Sequence, residues 1–253
     1  MPTTDVKLKA QVYKDPRPAE VFVPFHQRVR DRPPEWIYEV VRVLTMMNAL
    51  VTFRGQGFGS ENVPNGPVIL APNHGSFMDH FFTGAFVRRH VQFMAKSQMF
   101  GNHPLSWVYS HGGVFPVRRG NHDEDAFTTA FAVLARGGVV GMYVEGGRTR
   151  TGQMGEAKAG IGRLALESGA PVVPVAILDS NRVRNWKRLR FPQVIVQYGS
   201  PFRFEPVEHS TREQQQAAAV CILERIKAMH GEMTRLGARG SARALRARRA
   251  AAR

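Results

Sequence analysis

Short apolar runs alternate along this chain with segments whose apolar residues recur at helical spacing. "PVILAP", "VQFMA", "GGVFPV", "GVVGMYV", "PVVPVAIL" and "QVIVQYG" read as strands. Helices are predicted over 77–88, near 123–136, over 157–168 and over about 211–235. Ahead of them, Ile37, Val40, Val41, Leu44 and Met47 recur at helical spacing between Glu35 and Leu50. Glu35, Glu39 and Arg42 mark another side of that segment, so it reads as an amphipathic helix, and "VTFRGQGF" after it as a strand. Strands alternating with helices imply βαβ units: an α/β fold with a largely parallel mixed sheet, buried by flanking helices and preceded by the amphipathic helix.

Three segments follow from this reading. Residues 1–34, with "KDPRP" and "RDRPPE", are expected as a poorly packed lead-in. Residues 35–236 form the folded domain, including the helix at 35–50. Residues 237–253 are a basic tail: from Thr234 on, "TRLGARGSARALRARRAAAR" holds seven arginines and no acid, as a frayed, solvated end would.

Composition narrows the partners. The 253 residues are 43% hydrophobic, enough for a sizeable core, and the net charge of +15 favours polyanions. Nucleic acid, an anionic membrane and a phosphorylated substrate all fit that charge, but no nucleic-acid-binding module is evident and no nucleic acid is expected. One cysteine, Cys221, excludes an intramolecular disulfide and a cysteine metal cage. The N-terminus has no signal-peptide core, and Glu39 and Arg42 interrupt the apolar stretch at 36–53, so no spanning helix is expected.

The candidate chemistry sits where predicted strands end. "VILAPNHGSFMDHFF" places His74 and Asp79 five residues apart, just after a strand. On one regular helix that spacing leaves two side chains roughly 140° apart, so they meet only if His74 lies in the turn and Asp79 in the first helical turn. Asp79 could then orient the imidazole, leaving its other nitrogen as a base. An equally physical alternative is a capping box, Ser76-x-x-Asp79, with His74 an ordinary loop residue. The spacing alone is weak, because His26 and Asp31 repeat it with no strand before them. There is no G-x-S-x-G elbow, so a base here would act on a substrate hydroxyl. Gly75 and Phe77 stand where an H-x-H-x-D-H metal signature needs histidines, and no metal is expected.

Two other strand ends carry glycine and arginine: "YVEGGRTRTG", with Glu145, Gly146, Arg148 and Arg150, and "GGVFPVRRG", with Arg118 and Arg119. Exposed backbone N–H groups and guanidinium forks suit an anion; solvated turns are the plain alternative. "GIGRLA" at 160–165 mimics a dinucleotide fingerprint but lacks the preceding strand, and reads as helix packing.

Taken in order, "NHGSFMD", "GVFPVRR", "VEGGRTRTG" and "VVPVAI", with Lys96 in "AKSQMF", resemble the glycerolipid acyltransferases of the lysophosphatidic acid acyltransferase family over about residues 50–200. The resemblance implies a glycerol-phosphate acyltransferase-like fold and a reaction. His74 takes the proton of the sn-2 hydroxyl of a lysophospholipid acceptor, 1-acyl-glycerol-3-phosphate. The oxygen attacks an acyl-CoA or acyl-carrier-protein thioester, and the product is phosphatidic acid. Asp79 orients His74. Arg119, Glu145, Gly146 and Arg148 bind the acceptor phosphate, with Glu145 placing the arginines and Asn73, Lys96 and Arg118 supporting. No cofactor is implied. Arg118, where the family often has an acid, and Gly147, where it has threonine, open the question of another acceptor. The expected location is cytoplasmic, on the anionic inner face of the cell membrane.

Overall fold

The computed structural model describes residues 15–101, 103–119, 123–149, 153–183 and 191–251. Its strands are β1 (Gln56–Phe58), β2 (Val68–Pro72), β3 (Val91–Lys96), β4 (Phe115–Val117), β5 (Val139–Gly141), β6 (Val172–Leu178) and β7 (Ile195–Tyr198). Its α-helices are α1 (Val23–Asp31), α2 (Trp36–Phe53), α3 (Asp79–Ala85), α4 (Pro104–His111), α5 (Glu124–Ala135), α6 (Ala159–Ser168) and α7 (Arg212–Ala251).

The strands make one sheet in the order β1-β7-β6-β2-β5-β3-β4. Only β6 and β7 pair antiparallel, so the sheet is largely parallel, as expected. The apolar runs become strands because both faces are covered: every residue of β2 and β6 is buried. The period of two sorts them. Ile69 and Ala71 face α1, α5, α6 and α7, whereas Val68 and Leu70 face α2 and α3. The contact between α6 and α7 is so close that a Cβ on Gly162 would lie 1.9 Å from the Gln215 carbonyl oxygen. That is the reason for glycine in "GIGRLA", and it agrees with the packing reading.

Four expectations are corrected. Val51, Thr52 and Phe53 continue α2 instead of opening a strand; the helix ends when Arg54 turns left-handed (φ 42°) and Gly55 donates back to the Ala49 carbonyl at 2.8 Å. The helix expected over 77–88 is shorter, Asp79–Ala85. Much of the lead-in is packed: Phe22, His26 and Val29, at helical spacing, are buried, and Arg30 donates to Asp125 at 2.9 Å. The basic tail is also folded as far as Ala251. Gly237 breaks α7 (φ 65°), and the chain returns as helix, burying Ala242 and Leu245 against Phe58 and Ile195. A small apolar stripe inside the arginine run holds it there.

His26 is not a bystander. Its Nδ1 lies 2.9 Å from Thr129 Oγ1, and burial lowers its pKa from 6.5 to about 4. Below pH 6.5 the unfolded chain takes up a proton that the folded chain refuses until about pH 4, so stability falls with pH across that window. His26→Gln is expected to melt lower than the native protein at pH 7 but to lose less on going to pH 4. Scanning calorimetry at several pH values checks this; parallel slopes for the two proteins contradict it.

Candidate active site

Strands β2, β5, β3 and β4 are neighbours and parallel, so their C-terminal ends open on one edge of the sheet. Asn73 extends the ladder one step past β2 with its side chain: its amide nitrogen donates to Ile177 O at 3.2 Å and its amide oxygen accepts from Ile177 N at 2.7 Å. The main chain then leaves the sheet, and His74 starts the turn that leads to α3.

The Asp79 carboxylate, wholly buried at the first turn of α3, joins the two readings of this segment. Its Oδ2 lies 2.9 Å from His74 Nδ1 and also accepts the Ser76 N–H at 2.7 Å. One oxygen therefore closes the turn and fixes the imidazole, so capping and orientation are the same contact. Ser76 Oγ accepts from Met78 N at 3.2 Å and α3 has no side-chain bond at its N-cap, so only the carboxylate half of the capping box forms. With Nδ1 turned to the carboxylate, Nε2 is the nitrogen left for a proton transfer, on a side chain still 9% exposed.

The loop after β5 clamps the other side. Glu145 Oε1 accepts the His74 N–H at 2.8 Å and Oε2 accepts the Gly155 N–H at 2.7 Å. Thr149 N donates to His74 O at 2.9 Å. Glu145 was expected to place arginines; among the described contacts its two oxygens tie the His74 turn to the 145–155 loop. Gly146 was expected to offer its N–H to an anion. It donates instead to Tyr143 O at 3.1 Å, and its φ of 63° shows the left-handed turn that calls for glycine. Arg118 also departs from expectation: its Nη2 donates to Arg17 O at 3.3 Å, towards the N-terminal segment. Arg150 lies outside the described residues.

Lys96 ends β3, and Arg119 and Arg148, in the loops after β4 and β5, lie near enough for their charges to act on it. Burial and then the charges of Arg119 and Arg148 lower the pKa of Lys96, with Asp15 opposing. Two guanidinium groups whose charges both act on Lys96 make a region that favours an anion.

Three features escaped the sequence reading. His80, next to Asp79, is pushed down to about 3 by burial, then by His74 and Arg148, so this site-wall imidazole stays neutral. Tyr143 lies flat on His74, with ring centroids 3.7 Å apart. Asp15 and Arg17 latch the lead-in over the end of β3: Ser97 Oγ donates to Asp15 Oδ2 at 2.7 Å and Arg17 to Ser97 O at 2.8 Å. The adjacency of His80 to Asp79 was visible; the other two depend on contacts between distant elements.

This is an α/β fold carrying a strand-end histidine–aspartate pair beside a cationic cluster, a site suited to handling a hydroxyl on an anionic molecule. A family model described as Acyltransferase matches residues 57–178, a span that holds the pair and all three cations. Over that span the chain is similar to that family, and among its relatives are 1-acyl-sn-glycerol-3-phosphate acyltransferases. A chloroplastic one from Brassica napus is 28% identical over 129 residues, 49% of this chain and 37% of that protein. Another from Arabidopsis thaliana is also 28% identical, over 49% of this chain and 36% of its own. The matched stretch is thus little more than a third of these chloroplastic relatives. The protein from Bacillus subtilis (strain 168) is 24% identical over 75% of this chain and 96% of that protein. In fold, the chain is similar to the crystal structure of the 1-acyl-sn-glycerophosphate (LPA) acyltransferase PlsC from Thermotoga maritima (TM-score 0.65, 21% identity, 84% of this chain and 88% of that one).

The clamp gives a direct test. Glu145→Ala removes a charged acceptor from two backbone amides and is expected to cost roughly 3 kcal/mol of stability. Urea unfolding measures it. Unchanged stability, with only weaker binding of an anionic substrate, would return Glu145 to the role of placing arginines.

Proposed function

We propose that this chain moves a fatty acyl group from an acyl thioester, acyl-CoA or acyl-carrier protein, to the sn-2 hydroxyl of 1-acyl-glycerol-3-phosphate, making phosphatidic acid. The observation that carries the reading is the His74–Asp79 contact at 2.9 Å, set beside Lys96, Arg119 and Arg148. His74 Nε2 takes the hydroxyl proton as the oxygen attacks the thioester carbonyl. The tetrahedral intermediate collapses, the C–S bond breaks, and the thiolate leaves with a proton that the imidazolium can return. Asp79 holds the ring for both transfers and offsets its transient charge. The acceptor's phosphate lies among the three cations, whose mutual repulsion a phosphate dianion relieves. The resemblance and the names of the relatives support a phosphomonoester acceptor, and Arg118, drawn towards Arg17, gives no reason for a larger anionic head group.

Thiol release from acyl-CoA with 1-acyl-glycerol-3-phosphate tests this. His74→Ala is expected to lower kcat by about 10²–10⁴ while the fold survives. Arg148→Ala is expected to raise KM for the phosphorylated acceptor more than KM for the acyl donor. A fully active His74→Ala protein, or equal effects of Arg148→Ala on both substrates, contradicts the assignment.

The same reading places the enzyme at the surface of a bilayer, on the cytoplasmic face of the cell membrane, since its acceptor and product are both amphiphiles. Helix α2 is long and apolar enough to cross a membrane by length and composition, which corrects the expectation from sequence. One side of it is bound to the domain: Glu39 pairs with Arg42 and lies 2.8 Å from His90 Nε2, and the Tyr38 hydroxyl accepts the Val91 N–H at 2.9 Å. The other side is bare. Trp36 (66%), Leu44 (64%), Met47 (52%) and Val51 (73%) are exposed at helical spacing, and Leu105 and Trp107 of α4 are also exposed. A helix held by its polar side and apolar on the other fits in the plane of the interface. Anionic lipid adds about 1 kcal/mol per arginine or lysine near the surface. Leu44→Glu with Met47→Glu is expected to leave the melt nearly unchanged and to abolish co-sedimentation with vesicles containing phosphatidylglycerol. Retained vesicle binding by the folded double variant refutes this anchor.

A further inference from the structure

Tyr143 follows β5 and lies between two rings. Its plane is 15° from that of His74 with centroids 3.7 Å apart, and 20° from that of Phe93 with centroids 6.1 Å apart. Phe93 is held from behind by Gly141, where a Cβ would lie 2.3 Å from Phe93 Cε1. The stack is therefore anchored in the sheet, through β3 and β5. Tyr143 is buried, and its hydroxyl has no hydrogen-bond partner among the described residues, so the ring and not the hydroxyl makes the contact with the site. Burial, and then the Asp79 charge, raise its pKa well above the usual phenol value, with Arg119 opposing; the ring is a neutral phenol at working pH.

We propose that Tyr143 is a positioning residue for His74, fixing the plane of the imidazole and stabilising its protonated form through the face of the ring. Asp79 holds His74 at one atom, Nδ1, which leaves the ring free to rock about that contact; the tyrosine face removes that freedom. The electron-rich face also attracts a cation. Taking the acceptor's proton makes His74 cationic, so this attraction grows on the way to the transition state and acts on kcat. The inference rests on reading His74 as the base.

The test replaces Tyr143 by Phe, by Leu, and by pentafluorophenylalanine, which keeps the shape of phenylalanine but reverses the charge on its face. Each protein is assayed for kcat, for KM of the acceptor, and for the pH dependence of kcat/KM. Phe is expected to stay within about twofold of native in kcat. Leu and the fluorinated ring are expected to lose about 3- to 30-fold in kcat at unchanged KM, the range of a cation–π contact. Their acidic limb should also move to lower pH, because the imidazolium has lost a stabilising neighbour. A ring that only fills space predicts equal rates for Phe and its fluorinated analogue, and that equality overturns the proposal, as does a loss in Phe equal to that in Leu. Comparing the two aromatic variants keeps the test decisive even where Leu fails to fold. Full activity of His74→Ala would instead remove the base on which the inference rests, so the two failures are told apart.

Discussion

A single carboxylate oxygen organises the site. Asp79 Oδ2 is wholly enclosed, and enclosing a carboxylate is costly unless its hydrogen bonds are made. Two neighbours five and three residues upstream, the His74 imidazole and the Ser76 N–H, make them at Oδ2, while Oδ1 is buried with no hydrogen-bond partner among the described residues. The contact that closes the turn into α3 is therefore the contact that sets the histidine. A loop that failed to close would leave the charge uncompensated, and a histidine that swung away would do part of the same. Stability and geometry are coupled at one atom, which is why the imidazole can be held precisely at the end of a loop.

Around that atom the labour is divided by strand. β2 delivers the histidine, and the loop after β5 clamps its backbone through Glu145. Tyr143 covers the face of its ring. The ends of β3, β4 and β5 bring Lys96, Arg119 and Arg148. Burial first, and then the charges of Arg119 and Arg148, lower the pKa of Lys96, and an anion binding there relieves the second of these. Neutral His80 adds no further positive charge to that region.

On the covered face of the sheet, α2 and α3 pack on Val68, Leu70 and their neighbours, and α2 turns its remaining apolar side outwards. Its two charged residues are spent on the domain and on each other, so the bare side carries no charge. This arrangement separates, on one helix, the side attached to the protein from the side left bare.

The fold class was legible because apolar runs and helical stripes are local properties: a strand buried on both faces must be apolar throughout, and a covered helix must carry a stripe. The histidine, the glutamate and the arginines could likewise be placed at strand ends, since each follows an apolar run directly. What local pattern cannot state is which element lies next to which. The order β2-β5-β3-β4 brings residues 74, 96, 119 and 145 to one edge. It also decides that Glu145 meets backbone amides, that Arg118 leaves for Arg17, and that Tyr143 lies on His74. The folded tail was hidden by its arginines, because charge counts describe the solvent side of a helix and the buried Ala242 and Leu245 describe the other. Sequence therefore determined the layers and the chemistry at the strand ends, while the tertiary structure decided partners, because a period records that a face is buried and not what buries it.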